Sequence, residues 1–229
     1  AFKAGGGQSI YPCMTDKTAP IALEDRGQVG ARLSSPSAAR NRGPIMTALS
    51  ARLPQGARVL EIASGTGEHA LALVTHRPDL SWTPSDPDPQ SRASADAWAE
   101  DADGRMQPAL DLDVCATGWW DRLETVDAIY CANMIHIAPW DAARGLFSGA
   151  AQLLTEAGAL YLYGPYQEGE ATAPSNLDFD ASLKQRDPRW GVRPLADVDA
   201  LAGEHGYVRV ERVEMPSNNL LLTFRRGVA

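Results

Sequence analysis

Residues 58–70 read RVLEIASGTGEHA, in which an apolar run ends near an acid, passes through a glycine-rich turn and continues into an apolar helical pattern. A strand, a glycine loop and a helix in this order allow the backbone to approach an anionic or polar ligand closely. Gly65 and Gly67 adopt positive φ readily and have no Cβ that would obstruct a ligand. The segment therefore predicts a ligand site at the start of a helix.

An acid, Asp86, follows the glycines at a spacing of about 20 residues, at the end of the next apolar run. In a parallel α/β sheet such an acid lies beside the glycine loop and accepts hydrogen bonds from a ribose diol. The two features together predict a site for a cofactor that carries a nucleoside. Residues 65–70 also fit the dinucleotide pattern G-x-G-x-x-G/A, so NAD remains an alternative, as does a purely structural glycine turn.

Apolar runs alternate with helical patterns through most of the chain, which predicts an α/β fold with a parallel sheet. The last two runs are joined by only a short turn and must be antiparallel. We therefore expect a Rossmann-like, mostly parallel, seven-stranded sheet that ends in an antiparallel hairpin. The predicted strands cover residues 58–63, 80–85, 107–110, 126–132, 159–163, 207–213 and 220–224.

The domain organisation follows from the same patterns. Residues 1–36 show little periodicity and are predicted to be a flexible leader, and residues 37–229 to be a single domain. A helix is expected to start near Pro44, because proline suits a first helical turn. The insertion at residues 164–193, called the lid below, follows the fifth strand and is expected to cover the ligand edge of the sheet.

Composition limits the partners that the protein can have. Twenty-nine acidic against 21 basic residues give a net charge of −8, which argues against nucleic acid as a substrate. No apolar run reaches the length of a membrane span, and no C-x-x-C spacing or other cluster indicates a metal site. The odd number of cysteines, Cys13, Cys115 and Cys131, indicates reduced thiols and a cytoplasmic location.

The glycine loop resembles motif I of class I methyltransferases, in which an acid at the position of Glu61 anchors the loop near the amino group of S-adenosylmethionine. Residues 111–113 resemble the acidic segment that binds adenine in those enzymes. One departure is Ala63, which stands where the motif has its first glycine. The resemblance implies S-adenosylmethionine as cofactor. The cofactor-binding residues expected from motif and position are Arg40, Asn41, Glu61, Ala63, Ser64, Gly65, Thr66, Gly67, Asp86, Asp111, Leu112, Asp113, Asn133 and Met134.

Longer segments resemble one smaller family of methyltransferase-like proteins of unknown function, the methyltransferase-like 26 type. The resemblance extends from about residue 37 to the end of the chain, and Ala63 is usual in that family. It implies little about the substrate. The matching segments are residues 39–45, 60–70, 84–88, 131–137, 173–191 and 215–219.

Three residues that follow the fourth and fifth strands, His136, Tyr163 and Tyr166, are the catalytic candidates. Ligands bind at the carboxyl ends of parallel strands, and a histidine can act as a general base near neutral pH. The alternative is a histidine whose hydrogen bonds are made with the backbone. The N-P-P-Y sequence of enzymes that methylate base amino groups is absent.

The lid contains four residues predicted to contact substrate, namely Asn176, Asp180, Arg186 and Trp190. Its mixture of aromatic and polar side chains is typical of a lid with a few placed polar groups. An ordinary helical excursion is the alternative. Arg40 is expected to meet the methionine carboxylate of the cofactor through a charge-assisted bond, unless it belongs to a solvated helix start.

The function predicted from these features is methyl transfer from S-adenosylmethionine to a small-molecule N, O or S nucleophile. Two alternatives remain from other classes. One is a non-catalytic S-adenosylmethionine-binding sensor or scaffold protein, and the other is an NAD-dependent oxidoreductase.

Overall fold

A computed structural model describes residues 24–227 of the 229-residue chain. The strands are β1 (Gly27–Val29), β2 (Arg32–Ser34), β3 (Arg58–Ile62), β4 (Ser81–Ser85), β5 (Val126–Ala132), β6 (Leu154–Pro165), β7 (Tyr207–Met215) and β8 (Asn219–Arg226). The α-helices are α1 (Pro36–Ser50), α2 (Glu68–His76), α3 (Pro89–Ala99), α4 (Trp140–Leu153), α5 (Pro174–Arg186) and α6 (Leu195–Glu204). Short 3₁₀ helices cover Met134–His136 and Gly169–Ala171.

The main sheet has the order β4-β3-β5-β6-β8-β7. Strands β4, β3, β5 and β6 pair in parallel, whereas β8 pairs antiparallel with both β6 and β7. This arrangement confirms the predicted fold class. The expected strand at residues 107–110 pairs with β4 only through isolated bridges at Met106 and Leu110, so the continuous sheet has six strands.

Both faces of the sheet are buried, as in other parallel sheets. On one face, Ile129 of β5 belongs to a core that includes Leu146 and Phe147 of α4. On the other face, the next residue, Tyr130, belongs to a core formed with α1 and α2. The sheet order reverses between β4-β3 and β5-β6, and open α/β sheets bind ligands at this switch point.

The start of the domain differs from the prediction in two respects. Helix α1 begins at Pro36, and Pro44 lies inside it, because the Ser35 side chain caps the helix by accepting a hydrogen bond from the Ala38 N–H. Residues 27–34, expected in a flexible leader, form an N-terminal hairpin packed on α3 through the Leu33 N–H and the Ser94 hydroxyl, 2.8 Å apart. The rest of the predicted leader, residues 1–23, lies outside the described residues.

The lid follows β6 and contains α5. Its last residues are bound to the turn after β5, since the Gly191 N–H donates to the carbonyl of His136 at 2.9 Å. Arg193 strengthens this attachment by donating to the carbonyls of Ile135 and Ala138. The lid is therefore closed down on the turn at residues 134–138, and its role as a substrate cover stays a prediction.

Gly67, which precedes α2, provides a test of the packing between the glycine loop and α3. It has a φ of +85°, and a Cβ at this position would lie 2.7 Å from the Ala95 Cα. We expect Gly67→Ala to lower the free energy of unfolding by about 2–5 kcal/mol, from backbone strain and the clash together. Denaturant unfolding followed by circular dichroism measures the change.

The matched control is Gly56→Ala, at a glycine with a φ of +68° and no atom within 4 Å of the added Cβ. This variant should lower the free energy of unfolding by the backbone strain alone, about 1–2 kcal/mol. Equal losses in the two variants would show that α3 does not press on the loop at Gly67.

Candidate cofactor cleft

The loop between β3 and α2 contains three residues in the left-handed region of φ. They are Ala63 at +56°, Gly65 at +58° and Gly67 at +85°. Alanine in this conformation costs roughly 1–2 kcal/mol, so Ala63 retains the backbone shape of the motif at an energetic cost that glycine would avoid. The sequence departure at Ala63 therefore leaves the loop geometry intact.

Asp86 holds the loop against the end of β4. One carboxylate oxygen accepts from the Gly65 N–H at 3.0 Å, and the other accepts from the Asp88 N–H at 2.9 Å. Burial raises the pKa of Asp86 to about 6, although the bonds from Asp88 and Gly65 and the charge of Arg26 act in the opposite direction. The side chain thus joins loop and strand while remaining at the wall of a cleft.

The cleft opens at the carboxyl edge of the sheet, between the ends of β3, β4 and β5. Its walls are largely apolar, with acidic groups on one side. The lining residues are Arg26, Ile62, Ala63, Gly65, Asp86, Pro87, Asp88, Leu112, Asp113, Val114, Ala132, Met134, Ile137, Ala138 and Ala142.

Six of the predicted cofactor residues line this cleft: Ala63, Gly65, Asp86, Leu112, Asp113 and Met134. Three others support the loop from behind, because Ser64 bonds to Ser85, Thr66 bonds to Glu68, and Gly67 packs on α3. Asn133 stands between two lining residues, in a left-handed conformation with its N–H bonded to the Tyr163 carbonyl.

Glu61 does not line the cleft, in contrast to the prediction that it contacts the cofactor. Its side chain is buried on the opposite face of β3, where it accepts a hydrogen bond from the Trp82 indole at 2.9 Å. Burial raises the pKa of Glu61 to about 8, against the lowering effect of bonds from Trp82 and Ser64. Glu61 therefore supports the loop through the core.

Three further residues predicted to bind the cofactor are not among those that line the cleft. Arg40 is 71% exposed and lies 3.8 Å from Glu24, and Asp111 is 75% exposed and pairs with Arg92. Asn41 bonds to the His69 ring at 2.8 Å. These side chains point away from the cleft because α1 and the loop after residue 110 turn them toward other partners.

The catalytic candidates are also buried away from the cleft. His136 is 0% exposed, and its Nδ1 accepts from the Arg193 N–H at 3.2 Å. Its ring packs edge-on against Tyr166 and lies next to Gly164. Burial lowers the pKa of His136 to about 3, so the ring is neutral at physiological pH. Neither Tyr163 nor Tyr166 lines the cleft, and both are buried, Tyr163 within β6 and Tyr166 directly after it.

The polar residues of the lid mainly hold the lid together. Asn176 donates to the carbonyls of Tyr166 and Asn218, and Asp180 accepts from the Val192 N–H and from Lys184. Trp190 is half-buried and Arg186 is exposed. None of these four predicted substrate residues lines the cleft.

Sequence reasoning missed Arg26, which reaches the cleft from the residue just before β1. It also missed the apolar wall formed by Ile137, Ala138 and Ala142. The signal for the wall was present, because these residues directly follow the strand that ends at Ala132. No pattern around Arg26 indicated its position.

Two findings concern the predicted environment of the protein. In the described part of the chain, no helix combines the length and apolarity of a membrane span, and no group of three or more possible metal ligands occurs.

Cys131 is a buried free thiol, and burial raises the pKa of this thiol to about 12. Cys115 is disulfide-bonded, so the expectation of a reduced thiol is wrong for this residue, and the cytoplasmic location stays a prediction.

The sheet order and the cleft define a Rossmann-like fold of the methyltransferase type, and solved structures share it. An O-methyltransferase family protein from Burkholderia thailandensis matches with a TM-score of 0.69 and 18% identity over 82% of this chain and 56% of its own. The S-adenosylmethionine-dependent methyltransferase SibL matches with a TM-score of 0.69 and 18% sequence identity, over 84% of this chain and 56% of its own. CalO1, a methyltransferase in calicheamicin biosynthesis, was solved in its SAH-bound form. It matches with a TM-score of 0.67 and 16% sequence identity, over 83% of this chain and 54% of its own.

Residues 32–226 match the family described as protein of unknown function DUF938, and the chain belongs to that family. The chain spans only a little over half the length of the structural relatives named above. At these identities the relatives establish the fold. The finer assignment to the methyltransferase-like 26 type stays a prediction.

Glu61 provides a test of the core beneath the loop. Because its folded-state pKa of about 8 exceeds the ordinary value of 4.5, the folded protein retains a proton that the unfolded chain has lost. Its contribution to stability is therefore present below pH 4.5 and lost as pH rises through about 8. We expect the unfolding free energy of the wild type to fall by about 4 kcal/mol relative to Glu61→Gln, which cannot ionise, between pH 5 and pH 9.

Urea unfolding at pH 5, 7 and 9 measures this difference, with the exposed Glu156→Gln as control. The control should reproduce the wild-type profile. Parallel profiles for wild type and Glu61→Gln would contradict a buried, protonated Glu61.

Proposed function

We propose that this protein transfers the methyl group of S-adenosylmethionine to a small-molecule N, O or S nucleophile. The observation that carries the proposal is the cleft at the switch point of the sheet, with Gly65 in its floor and the clamped Asp86 on its wall. Glycine loop and acid are the two elements that bind the ribose and its neighbouring groups in nucleoside-binding α/β folds.

The residues of the cleft fit such a cofactor. The cleft is open to solvent, and the empty space of about 710 Å³ at this site includes the solvent at its mouth. Leu112 and Val114 offer apolar contacts for adenine, and Asp113 lies between them as an acceptor for its amino group. Asp86 is placed for the ribose hydroxyls, since a carboxylate has lone pairs beyond the two it uses for Gly65 and Asp88.

The reaction needs placement and exclusion of water more than acid–base chemistry. When bound, S-adenosylmethionine supplies an electrophilic methyl group, whose bond to sulfur breaks as the bond to the nucleophile forms. Met134, Ile137, Ala138 and Ala142 provide a dry wall beside the end of β5. In this proposal His136 is a positioning residue that holds the lid through the main chain of Gly191 and Arg193.

The structural relatives support this function over its alternatives. SibL is described as S-adenosylmethionine-dependent, and CalO1 was solved with SAH bound. None of the three relatives named above is described as an NAD-dependent oxidoreductase. A non-catalytic binding protein shares the cleft with the enzyme and is separated from it by the transfer assay given below.

The first test concerns which cofactor the protein binds. We expect S-adenosylhomocysteine at ~100 Kd to raise the unfolding free energy by about 2.7 kcal/mol, while NAD leaves the melting temperature unchanged. Thermal unfolding with each compound measures the effect. Stabilisation by NAD alone would overturn the assignment.

Incubation of the protein with methyl-tritiated S-adenosylmethionine and a metabolite extract then separates an enzyme from a sensor. An enzyme produces labelled small molecules. Binding without labelled product under conditions where a known methyltransferase gives product would favour the sensor.

The second test concerns Asp86 and uses pH. The ribose hydroxyls donate to the ionised carboxylate, and the pKa of Asp86 is about 6, so binding should weaken as the pH falls below this value. We expect the Kd of S-adenosylhomocysteine to increase about tenfold between pH 7.5 and 5, following the protonated fraction. Asp88 and Arg26 are the charged residues that face the same carboxylate.

The matched variant is Asp86→Asn, which keeps the size of the side chain. It should bind more weakly than wild type at pH 7.5 and show no pH dependence between 5 and 7.5. Isothermal titration calorimetry provides both constants. Equal affinity of the two proteins at pH 7.5 would place the ribose away from Asp86.

A further inference from the structure

Arg26 is the only basic side chain among the described residues that line the cleft. The N-terminal hairpin holds it there. Ser94, which is fully buried, connects the hairpin to the glycine loop by accepting from the Leu33 N–H at 2.8 Å and donating to the Thr66 carbonyl at 2.7 Å. The Trp98 indole adds a bond to the Leu33 carbonyl at 3.0 Å. The position of Arg26 is thus set by contacts to α3 and to the loop.

The guanidinium of Arg26 lies over the glycine loop. Its Nη2 is 3.8 Å from the place where a Cβ on Gly65 would stand, and its Nη1 donates to the Ser91 hydroxyl at 3.3 Å. It forms no ion pair within residues 24–227. A guanidinium has five N–H donors, and the bond to Ser91 uses one of them within residues 24–227.

The cleft contains three acids and, among the described residues, one base, and Arg26 lies close enough to Asp86 for its charge to lower the pKa of that carboxyl. Asp86, Asp88 and Asp113 are the acids on its wall, and they belong to the side assigned to ribose and adenine. The amino-acid end of the cofactor then runs across Gly65, close to the N-terminus of α2. An anion is favoured there by the helix dipole and by a nearby guanidinium.

We propose that Arg26 binds the carboxylate of the cofactor's amino-acid end and thereby selects ligands that carry one. This inference rests on the proposed function. It assigns to Arg26 the role that the sequence suggested for Arg40, whose exposed side chain lies beside Glu24 instead. A guanidinium paired with a carboxylate forms one of the stronger hydrogen-bonded contacts in proteins.

The experiment compares two ligands that differ in this end. S-adenosylhomocysteine carries the amino-acid group, whereas 5′-methylthioadenosine has the same adenine, ribose and sulfur without it. By calorimetry we expect Arg26→Gln to weaken S-adenosylhomocysteine about 10- to 100-fold and to leave 5′-methylthioadenosine within about twofold. Arg26→Lys keeps the charge and should recover part of the loss.

Arg40→Gln is the matched control and should leave both affinities unchanged. Equal weakening of the two ligands by Arg26→Gln would overturn the proposal, because Arg26 would then act through Asp86 and the ribose. Unchanged binding of S-adenosylhomocysteine would overturn it as well. If the wild type bound neither ligand, the proposed function itself would fail, and this result differs from either outcome at Arg26.

Discussion

The hydrogen bond from the Gly65 N–H to the Asp86 carboxylate is the interaction on which the cleft depends. It joins the loop after β3 to the end of β4, and it requires the loop to turn through left-handed residues at positions 63, 65 and 67. Gly67 allows α3 to approach closely, and Ser94 of α3 in turn holds the N-terminal hairpin that carries Arg26. The floor and the acidic wall of the site are thus joined by this bond, and the contacts of α3 connect the hairpin with Arg26 to the same loop.

The clamp also explains why Asp86 has an unusual electrostatic environment. The carboxylate gives up most of its hydration in order to hold two backbone N–H groups, and burial raises its pKa more than those bonds lower it. A cofactor with ribose hydroxyls would provide further donors to this carboxylate. The apolar wall opposite the acids, formed by residues after β5, suits a reaction that proceeds by placement rather than by proton transfer.

Much of the fold could be predicted from sequence, because hydrophobic periodicity and glycine residues at turns are local signals. The strand at residues 126–132 has the predicted bounds, and α4 begins directly after Pro139. The first helix begins earlier than predicted because Ser35 caps its start, whereas Pro44, the residue on which the prediction depended, lies inside the helix. The residues of the glycine loop could be identified from the sequence, because they form one contiguous motif.

Outside the glycine loop and the short segments after the strands, the sequence did not indicate which side chains face the cleft, because that depends on contacts made in three dimensions. Glu61 alternates onto the far face of β3 and bonds to Trp82, and the 3₁₀ turn after β5 carries His136 into the core beneath the lid. Asn176 and Asp180 have polar groups that looked suited to a substrate, yet backbone groups of the lid and its neighbours use them. Arg26 lies outside every motif and reaches the cleft only through the hairpin.

The most direct test of the central claim is a crystal structure of the protein grown with S-adenosylhomocysteine. We expect adenine between Leu112 and Val114, ribose hydroxyls within hydrogen-bond distance of Asp86, and the sulfur above Gly65 near the end of β5. Density for the ligand at any other site, or in the cleft with the ribose turned away from Asp86, would contradict it.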